Sequence, residues 1–442
     1  MQTNTRTIER VFDLTDSKSN RIFNMSLEQA RERVASGSAE AIAGIDGSFA
    51  LVARRGETVL MARSMDRPLR YFLAKRQDGP ALVAADRIDS IAARLAAEGI
   101  ADQFHPSYTR MVPAYHLTQI QLVGCPDPSP THERFFTPER NALPADPPEI
   151  GRRYISALAD ELAKWLQSIP EKEPVGVAFS GGIDSGAVFL ATYAVMRKLG
   201  MNPARLKAFT LSLGGGEDLE QARGFLRQLD LEMFLEQIEV DPGSLDPKRT
   251  IRVIEDYKPL DVESASMALA LAEGIRKRYP DWKYLADGDG GDENLKDYPI
   301  EDDPELTIRS VLNNPLLYQE GWGVGKLKHS LTYSGGQSRS YTRTYAPLRA
   351  LGFDGFSPFL SPRVVEVAEG VPFIELTDWN VDRLYALKGA IVASGIEALT
   401  GLRMPIHPKR RFQHGAIPAG QLRARFGARE ADYRSEFHSR YA

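Results

Sequence analysis

Cysteine is almost absent from this sequence, which has Cys125 alone among 442 residues. A single cysteine can neither close an intrachain disulfide nor build a thiolate metal cluster, so the disulfide-stapled secreted class is excluded. The sequence also has no window near the ~18 consecutive apolar residues of a membrane span, and its first residues lack the apolar core of a secretory signal. We therefore expect a soluble, cytoplasmic protein with no membrane partner.

An excess of charge of one sign is missing as well. The chain has 55 Lys and Arg residues against 59 Asp and Glu residues, a formal net charge of -4. Nucleic-acid binding usually needs a basic face, so we expect no nucleic-acid partner, although a local basic patch stays open. At roughly 150 residues per domain, the length predicts two or three domains, and we take two as the working number.

Short β-rich runs fill much of the first third of the chain, at residues 47–56, 57–64, 70–79 and 80–86. Their hairpin-length connections predict an antiparallel sheet, and the pattern at 88–98 predicts a helix. Residues 137–150 are rich in proline and poor in apolar side chains, which is typical of an interdomain linker. We therefore predict two domains, 1–145 and 146–442.

Helices and strands alternate after the linker. The patterns predict helices at 152–169, 186–200 and 218–230 and strands at 174–180, 206–213 and 231–240. Uninterrupted apolar strands that alternate with amphipathic helices predict a parallel sheet covered on both faces, hence an α/β fold. Beyond residue 300 the sequence predicts mainly helices and long loops.

A loop of small residues follows the predicted strand at 174–180 and precedes a helix. It consists of Ser180, Gly181, Gly182, Ile183, Asp184 and Ser185. The glycine pair lets the backbone approach a phosphate, the helix N-terminus presents amide groups to an anion, and the serines add hydroxyl donors. The pattern therefore predicts a pyrophosphate cradle, with a simple turn that has Ser185 as N-cap as the alternative.

This SGGxDS loop resembles the signature of the PP-loop pyrophosphatases, a doubly wound family that cleaves ATP between its α and β phosphates. Residues 284–293, YLADGDGGDE, resemble the SGEGxDE segment of asparagine synthetases. Asp287 replaces the serine of that segment, and Asp289 stands where asparagine synthetases have glutamate and β-lactam synthetases have tyrosine. The alternative for this segment alone is an acidic surface turn.

The resemblance implies ATP and Mg²⁺ as cofactors. Carboxylates suit Mg²⁺, which prefers hard oxygen ligands and usually binds one or two of them together with phosphate oxygens. The implied metal ligands are Asp184 and Asp292. The implied ATP-binding residues are Ala178, Ser180, Gly181, Gly182, Asp184, Ser185, Leu211 and Gly288. Among these, Ala178 and Leu211 would be walls of the adenine pocket, but each is equally natural as a core residue of a strand.

A further resemblance lies near the C-terminus, where Lys388 precedes residues 404–412, MPIHPKRRF. This order is similar to the asparagine synthetase tail, and it implies that Lys409 contacts the ATP phosphates and the charged intermediate. The candidate catalytic residues are thus Lys409, Asp289 and Lys388. Taken alone, the KRRF run is more typical of a solvated basic face.

Residues 350–361 resemble a family segment beside the substrate pocket, but Phe356 and Ser357 replace an arginine-valine pair, so aspartate is not the expected substrate.

The N-terminal third has a resemblance of its own. Residues 45–50, IDGSFA, and 62–72, ARSMDRPLRYF, resemble stretches of the glutaminase domain of asparagine synthetases. This implies an Ntn-hydrolase-like fold, a β-sandwich between helices. Active glutaminases begin with a cysteine whose thiolate attacks the amide. Here Gln2 follows Met1 and Cys125 lies far downstream, so we expect a scaffold without glutaminase activity.

Together these features predict an ATP-dependent synthetase with a doubly wound C-terminal domain of PP-loop type and a helical C-terminal part. It would adenylate a small-molecule carboxylate and couple it to ammonia or another amine, releasing AMP and pyrophosphate. Three alternatives stay open: intramolecular closure of a β-lactam-type ring, a tRNA-modifying PP-loop enzyme, and an inactive scaffold. A homodimer is compatible with each of them.

Overall fold

The computed structural model describes residues 10–77, 79–123, 129–215, 217–296, 341–407 and 424–441. Within these ranges no helix combines the length and apolar character needed to cross a membrane. The predicted candidates Gln2, Cys125 and Lys409 lie outside the described residues.

The N-terminal part is built mainly from short strands. Its elements are β1 (Val11–Asp13), β2 (Arg21–Ile22), α1 (Leu27–Ser36), α2 (Ala39–Ala43), β3 (Gly47–Ser48), β4 (Ala50–Arg55), β5 (Thr58–Arg63), β6 (Arg70–Arg76), β7 (Gly79–Ala85), α3 (Ile88–Ala97), β8 (Arg110–Met111), β9 (His116–Gln121) and β10 (Thr131–Arg134). The four predicted strand runs and the predicted helix at 88–98 are confirmed.

Two four-stranded sheets pack face to face, with strand orders β1-β7-β6-β8 and β10-β9-β5-β4. Side chains alternate between the faces of a strand, so Met61 of β5 joins the core between the sheets while Leu60 packs under α1 and α2. Helix α3 covers the outer face of the other sheet. The β-sandwich between helices is thus confirmed. The first sheet is mixed rather than purely antiparallel, because β1 pairs with β7 in parallel.

The C-terminal part alternates strands with longer helices. Its elements are α4 (Pro147–Ser168), β11 (Val175–Ala178), α5 (Ile183–Lys198), β12 (Leu206–Ser212), α6 (Asp218–Arg227), β13 (Leu235–Glu239), α7 (Pro247–Ile254), α8 (Pro259–Arg278), β14 (Tyr284–Ala286), α9 (Gly291–Asn294), a π-helical turn (Tyr341–Tyr345), α10 (Ala346–Ala350), β15 (Asp354–Phe356), α11 (Pro362–Glu369), α12 (Phe373–Thr377), α13 (Val381–Thr400) and α14 (Glu430–Ser439).

Two predictions about this part need correction. The strand predicted at 231–240 begins only at Leu235, because Glu232–Phe234 form a 3-10 turn. Beyond residue 300 the prediction of helices and loops missed β15, a three-residue strand that pairs with β14. Its sequence, Asp-Gly-Phe, has little intrinsic strand propensity, so its pairing with β14 decides its conformation.

The five-stranded parallel sheet has the order β13-β12-β11-β14-β15. The chain moves outward from β11 through β12 to β13 and then returns to place β14 on the other side of β11. One face packs on α4, α5, α6 and α13, and the other packs on α7 and α8. The sheet is therefore doubly wound, and the direction of winding reverses between β11 and β14. Ligands of such sheets bind at the carboxyl ends of the strands beside this reversal.

Buried ion pairs join the two parts of the chain. Arg70 of β6 lies 2.6 Å from the Glu255 carboxylate just after α7, and both side chains are fully buried. Glu255 also accepts hydrogen bonds from the amides of Ile88 and Asp89, at the N-terminus of α3. The predicted boundary at 145/146 falls in the irregular connection between β10 and α4, and it stays a prediction.

Candidate active site

The first loop of the site connects β11 to α5. Gly181 has φ +73, and a Cβ there would lie 2.9 Å from the backbone of Ala222, so both its conformation and the close approach of α6 require glycine. The Ser185 hydroxyl accepts from the Ser180 amide at 3.2 Å and lies 3.2 Å from the Ser180 hydroxyl. The loop is thus folded back on the first turn of α5, where Gly182 is the N-cap.

The second loop follows β14, the parallel neighbour of β11. Gly288 lets it approach the first loop, because a Cβ there would lie 2.9 Å from the Ser185 amide nitrogen. Gly291 has the same role, since its Cβ would lie 2.2 Å from Oδ1 of Asp184. Side chains at either position would push the loops apart. Glycine at 288 and 291 is therefore needed for the two predicted motifs to meet.

Lys388 of α13 lies between the two predicted metal ligands. Its Nζ donates to Asp184 Oδ2 at 2.6 Å and also pairs with Asp292 Oδ1. The lysine side chain is 2% exposed, whereas the Asp184 and Asp292 side chains are 22% and 34% exposed. The carboxylates therefore face the opening of the site and the cation lies behind them. The structure thus brings together three of the predicted site residues from three separate segments, and their roles stay predictions.

The donor set fits a Mg²⁺ ion held jointly with a nucleotide. Two aspartate carboxylates converge at the carboxyl ends of β11 and β14, and both remain partly open to solvent. Among the described residues no group of three or more His, Cys, Asp or Glu side chains forms a metal cage. A site with two carboxylates matches Mg²⁺, which usually takes its remaining ligands from phosphates and water.

A second pair of carboxyl groups lies in the same loop, deeper in the protein. Asp287 accepts hydrogen bonds from the Asp289 amide and the Ser357 hydroxyl, both at 3.0 Å. Burial raises the pKa of Asp287 well above its usual range, and the nearby Asp289 charge raises it further. The shift favours the protonated form of Asp287, and its hydrogen bonds with the Asp289 amide and the Ser357 hydroxyl favour a structural role for it.

Asp289 is placed differently. Burial raises the pKa of its carboxyl to about 6, against the opposing effects of a hydrogen bond from Thr344 and the charge of Arg343. Its Oδ2 is buried and has no hydrogen-bond partner within the described parts of the chain. A buried carboxylate oxygen without a donor is costly, so this atom is suited to accept a hydrogen bond from a bound substrate. Asp289 is mostly ionised at pH 7.

Arg343 and Thr344 come from the π-helical turn at Tyr341–Tyr345. Arg343 donates from Nε to Asp261 Oδ1 at 3.0 Å, and Asp261 is a buried residue of α8. Despite burial, the charges of Asp261, Glu293 and Asp289 raise the pKa of Arg343. π-Helical turns are rare and occur frequently at functional sites. This turn therefore sets the charge environment of Asp289.

The other predicted residues are the two proposed walls of the adenine pocket and the segment that precedes Lys409. Ala178 ends β11 and is partly buried, whereas Leu211 is 1% exposed in the core that the sheet shares with α7 and α8. Contact of either residue with adenine stays a prediction. Met404 approaches Gly186 of α5, and Ile406 packs beside Gly389, next to Lys388. The chain that leads to Lys409 thus runs along the candidate site.

Sequence reasoning missed two contributors, Arg343 and Thr344, and named Ser357 only as a departure from a family segment. Arg343 and Thr344 have no motif around them, and the turn that presents them is defined by its packing on α8. Tyr154 of α4 was also missed. Its hydroxyl accepts from Asn294, which in turn donates to the carbonyl of Phe359 at 2.8 Å. These bonds hold α9, and with it Asp292, against the helical layer.

The fold is that of a PP-loop type of synthetase domain, in which two loops at the reversal of a doubly wound sheet form a candidate nucleotide site. Residues 158–351 match the family model for asparagine synthase. This segment, somewhat less than half of the chain, is therefore an asparagine synthase-like domain, and the family supports an ATP-dependent, amide-forming synthetase. The match includes both loops and Asp289 and ends before Lys388. A search of curated proteins found no match to the chain.

Proposed function

We propose that this protein adenylates a small-molecule carboxylate and then couples the acyl group to an amine, releasing pyrophosphate and AMP. The observation that carries the proposal is the meeting of Asp184, Asp292 and Lys388 beside the loop at 180–185. A phosphate-binding loop alone would suit many reactions. A loop of this type together with two carboxylates suits a reaction in which pyrophosphate leaves.

In the first step the loop would hold the β- and γ-phosphates, with the α5 N-terminus and the Ser180 and Ser185 hydroxyls as donors. Asp184 and Asp292 would hold Mg²⁺, which when bound offsets the negative charge of the pyrophosphate. An oxygen of the substrate carboxylate attacks the α-phosphorus, the bond to the β-phosphate bridging oxygen breaks, and pyrophosphate leaves. Lys388 would bridge the two carboxylates and hold them in one orientation.

In the second step the amine attacks the acyl carbon, and AMP leaves with the electron pair of the C–O bond. The attacking amine must lose a proton. Asp289 Oδ2 is a candidate acceptor because it is buried with no donor among the described residues and because a pKa of about 6 allows the carboxylate form at neutral pH. Lys409, outside the described residues, is the predicted cation for the tetrahedral intermediate.

The identity of the amine donor is a further part of the proposal. We expect ammonia or another free amine rather than glutamine, since the sequence has only Cys125 as a thiol nucleophile. Glutamate release from glutamine, measured with and without ATP, should equal a buffer blank. Release clearly above that blank contradicts this part of the proposal and leaves the adenylation step untouched.

The experiment that tests the whole proposal is phosphorus NMR of reactions with MgATP and a library of acids and amines. For an accepted pair, AMP and pyrophosphate should appear together with an amide detected by mass spectrometry. The matched control is Asp292→Asn, which should produce neither. ADP and orthophosphate as primary products would overturn the adenylation mechanism, and a product with the mass of the dehydrated acid alone would show ring closure instead of coupling.

A further inference from the structure

A second cavity lies away from the candidate active site, with a volume of about 600 Å³. It opens where the turn before α3 meets α7, α10 and the residues that follow α14. The cavity is lined by five arginines, namely Arg87, Arg249, Arg252, Arg349 and Arg440, and by one carboxyl residue, Asp86. It shares no residue with the two loops, Lys388 or Asp289. The active site therefore does not explain this collection of cations.

Several of the arginines are held in place by neighbouring carbonyl groups and carboxylates. Arg87 donates to the carbonyls of Val253 and Arg252, both at 2.9 Å. Arg440 pairs with Asp89 at 2.7 Å, and Arg349 and Arg249 pair with Asp16 and Glu273. These contacts restrict the guanidinium groups, and Arg87 also pairs with Asp89 and Glu255. A guanidinium has five N–H donors, so the one or two bonds of Arg249, Arg349 and Arg440 leave donors for a ligand.

Arg252 differs from the other four. Its side chain donates a hydrogen bond from Nε to the Lys248 carbonyl at 3.3 Å, and none of the described carboxylates pairs with it. Arg252 is thus a positive charge beside four others without a negative partner of its own. A bound anion would give this exposed guanidinium the negative partner that it lacks among the described residues.

The chemistry of the walls indicates which class of ligand fits. Planar guanidinium groups match the geometry of phosphate oxygens, and within the wall itself five of them lie with a single carboxyl residue, Asp86. The rest of the wall is apolar, from Val253, Tyr345, Ala346 and Ala350. A volume of about 600 Å³ is typical of small-molecule sites and far exceeds one inorganic ion. We propose that this cavity binds a small organic molecule that has a phosphate group.

One wall of the cavity is formed by an element that also belongs to the candidate active site. Tyr345, in its wall, is the last residue of the π-helical turn that presents Arg343 and Thr344 to Asp289. Arg67, from the N-terminal part of the chain, places its guanidinium over the Tyr345 ring, 4.6 Å from the ring centroid. A ligand in the cavity would therefore rest against the turn that sets the charge environment of Asp289.

The proposal is tested by titration calorimetry of the full-length protein with ribose 5-phosphate, pyrophosphate and inorganic phosphate, each without ATP. Tricarballylate, a tricarboxylate, serves as the comparison for ligand class. We expect binding of a phosphate probe that is at least tenfold weaker in Arg252→Gln. Arg349→Gln, the second variant, should weaken it similarly. The matched control Arg223→Gln, a half-buried arginine of α6 outside this cavity, should bind as the wild type does.

Three results would overturn the proposal: no binding of any phosphate probe, tighter binding of tricarballylate, or binding that neither cavity variant weakens. The last result would assign the bound phosphate to the loop at 180–185. Thermal melting of each variant confirms that it is folded, and Arg252→Gln should melt as the wild type does because it breaks no ion pair. Because these measurements need no turnover, they are independent of the proposed synthetase activity.

Discussion

Replacing Lys388 by methionine removes the ammonium that bridges Asp184 and Asp292, with little change in side-chain volume. The two carboxylates would then lose the positive charge that Lys388 supplies to both. Removing one partner of a fully buried ion pair costs about 3 to 5 kcal/mol. Asp184 and Asp292 are 22% and 34% exposed, so water offsets part of this cost. We therefore expect Lys388→Met to lower the free energy of unfolding by roughly 2 to 3 kcal/mol in the absence of divalent ions.

Magnesium should partly reverse this loss, because a divalent cation supplies the missing positive charge between the same carboxylates. A ligand that binds the native state alone stabilises it by RT ln(1 + [L]/Kd), so the variant should gain more from Mg²⁺ than the wild type. The assay is urea unfolding followed by circular dichroism, in excess EDTA or excess MgCl₂. We expect the difference between variant and wild type to shrink by about 1 kcal/mol or more in MgCl₂.

The chain offers a matched control in Lys296, another buried lysine. Its Nζ lies 3.0 Å from Glu369 Oε1, and the two side chains are only 4% and 2% exposed. Lys296→Met should cost about 3 to 5 kcal/mol and should gain nothing from Mg²⁺. If Lys388→Met is as stable as the wild type in EDTA, or if both variants respond equally to Mg²⁺, then Asp184 and Asp292 do not form a cation site.

Three further predictions concern other parts of the chain. Lys409→Ala should slow amide formation by roughly 10²-fold or more while weakening nucleotide binding much less, and near-wild-type turnover would show that KRRF is a solvated basic face. The wild-type rate of amide formation should rise with pH through an apparent pKa of about 6, because Asp289 loses its proton there and becomes able to accept one. Asp289→Asn should abolish this rise. An unchanged pH profile in the variant would show that Asp289 is not the base. Arg70→Met should cost roughly 3 kcal/mol in urea unfolding because it leaves the buried Glu255 carboxylate poorly compensated, whereas the exposed Arg54→Met should change stability little.

The sequence by itself determined the local parts of the site. Ser180 to Ser185 follow an apolar strand and precede a helix, and this order of strand, small residues and helix is readable without knowing any contact. Hydrophobic periodicity likewise predicted the N-terminal strands and the alternation that builds the parallel sheet. Glycine and aspartate at 287–292 indicated a second polar loop. Each of these signals depends on residues within about one element of each other, where backbone geometry and side-chain chemistry are enough.

Only the tertiary structure decided which of these parts meet. The pairing of β11 with β14 brings Asp292 to Asp184, and α13 places Lys388 between them although it lies 204 and 96 residues from the two aspartates. The neighbours of Asp289 on the π-helical turn have no motif of their own. The arginine cavity takes residues from four separate stretches, none of which is unusual alone. Such groupings arise from the packing of distant elements, and the energy that favours them is not encoded in any single stretch of sequence.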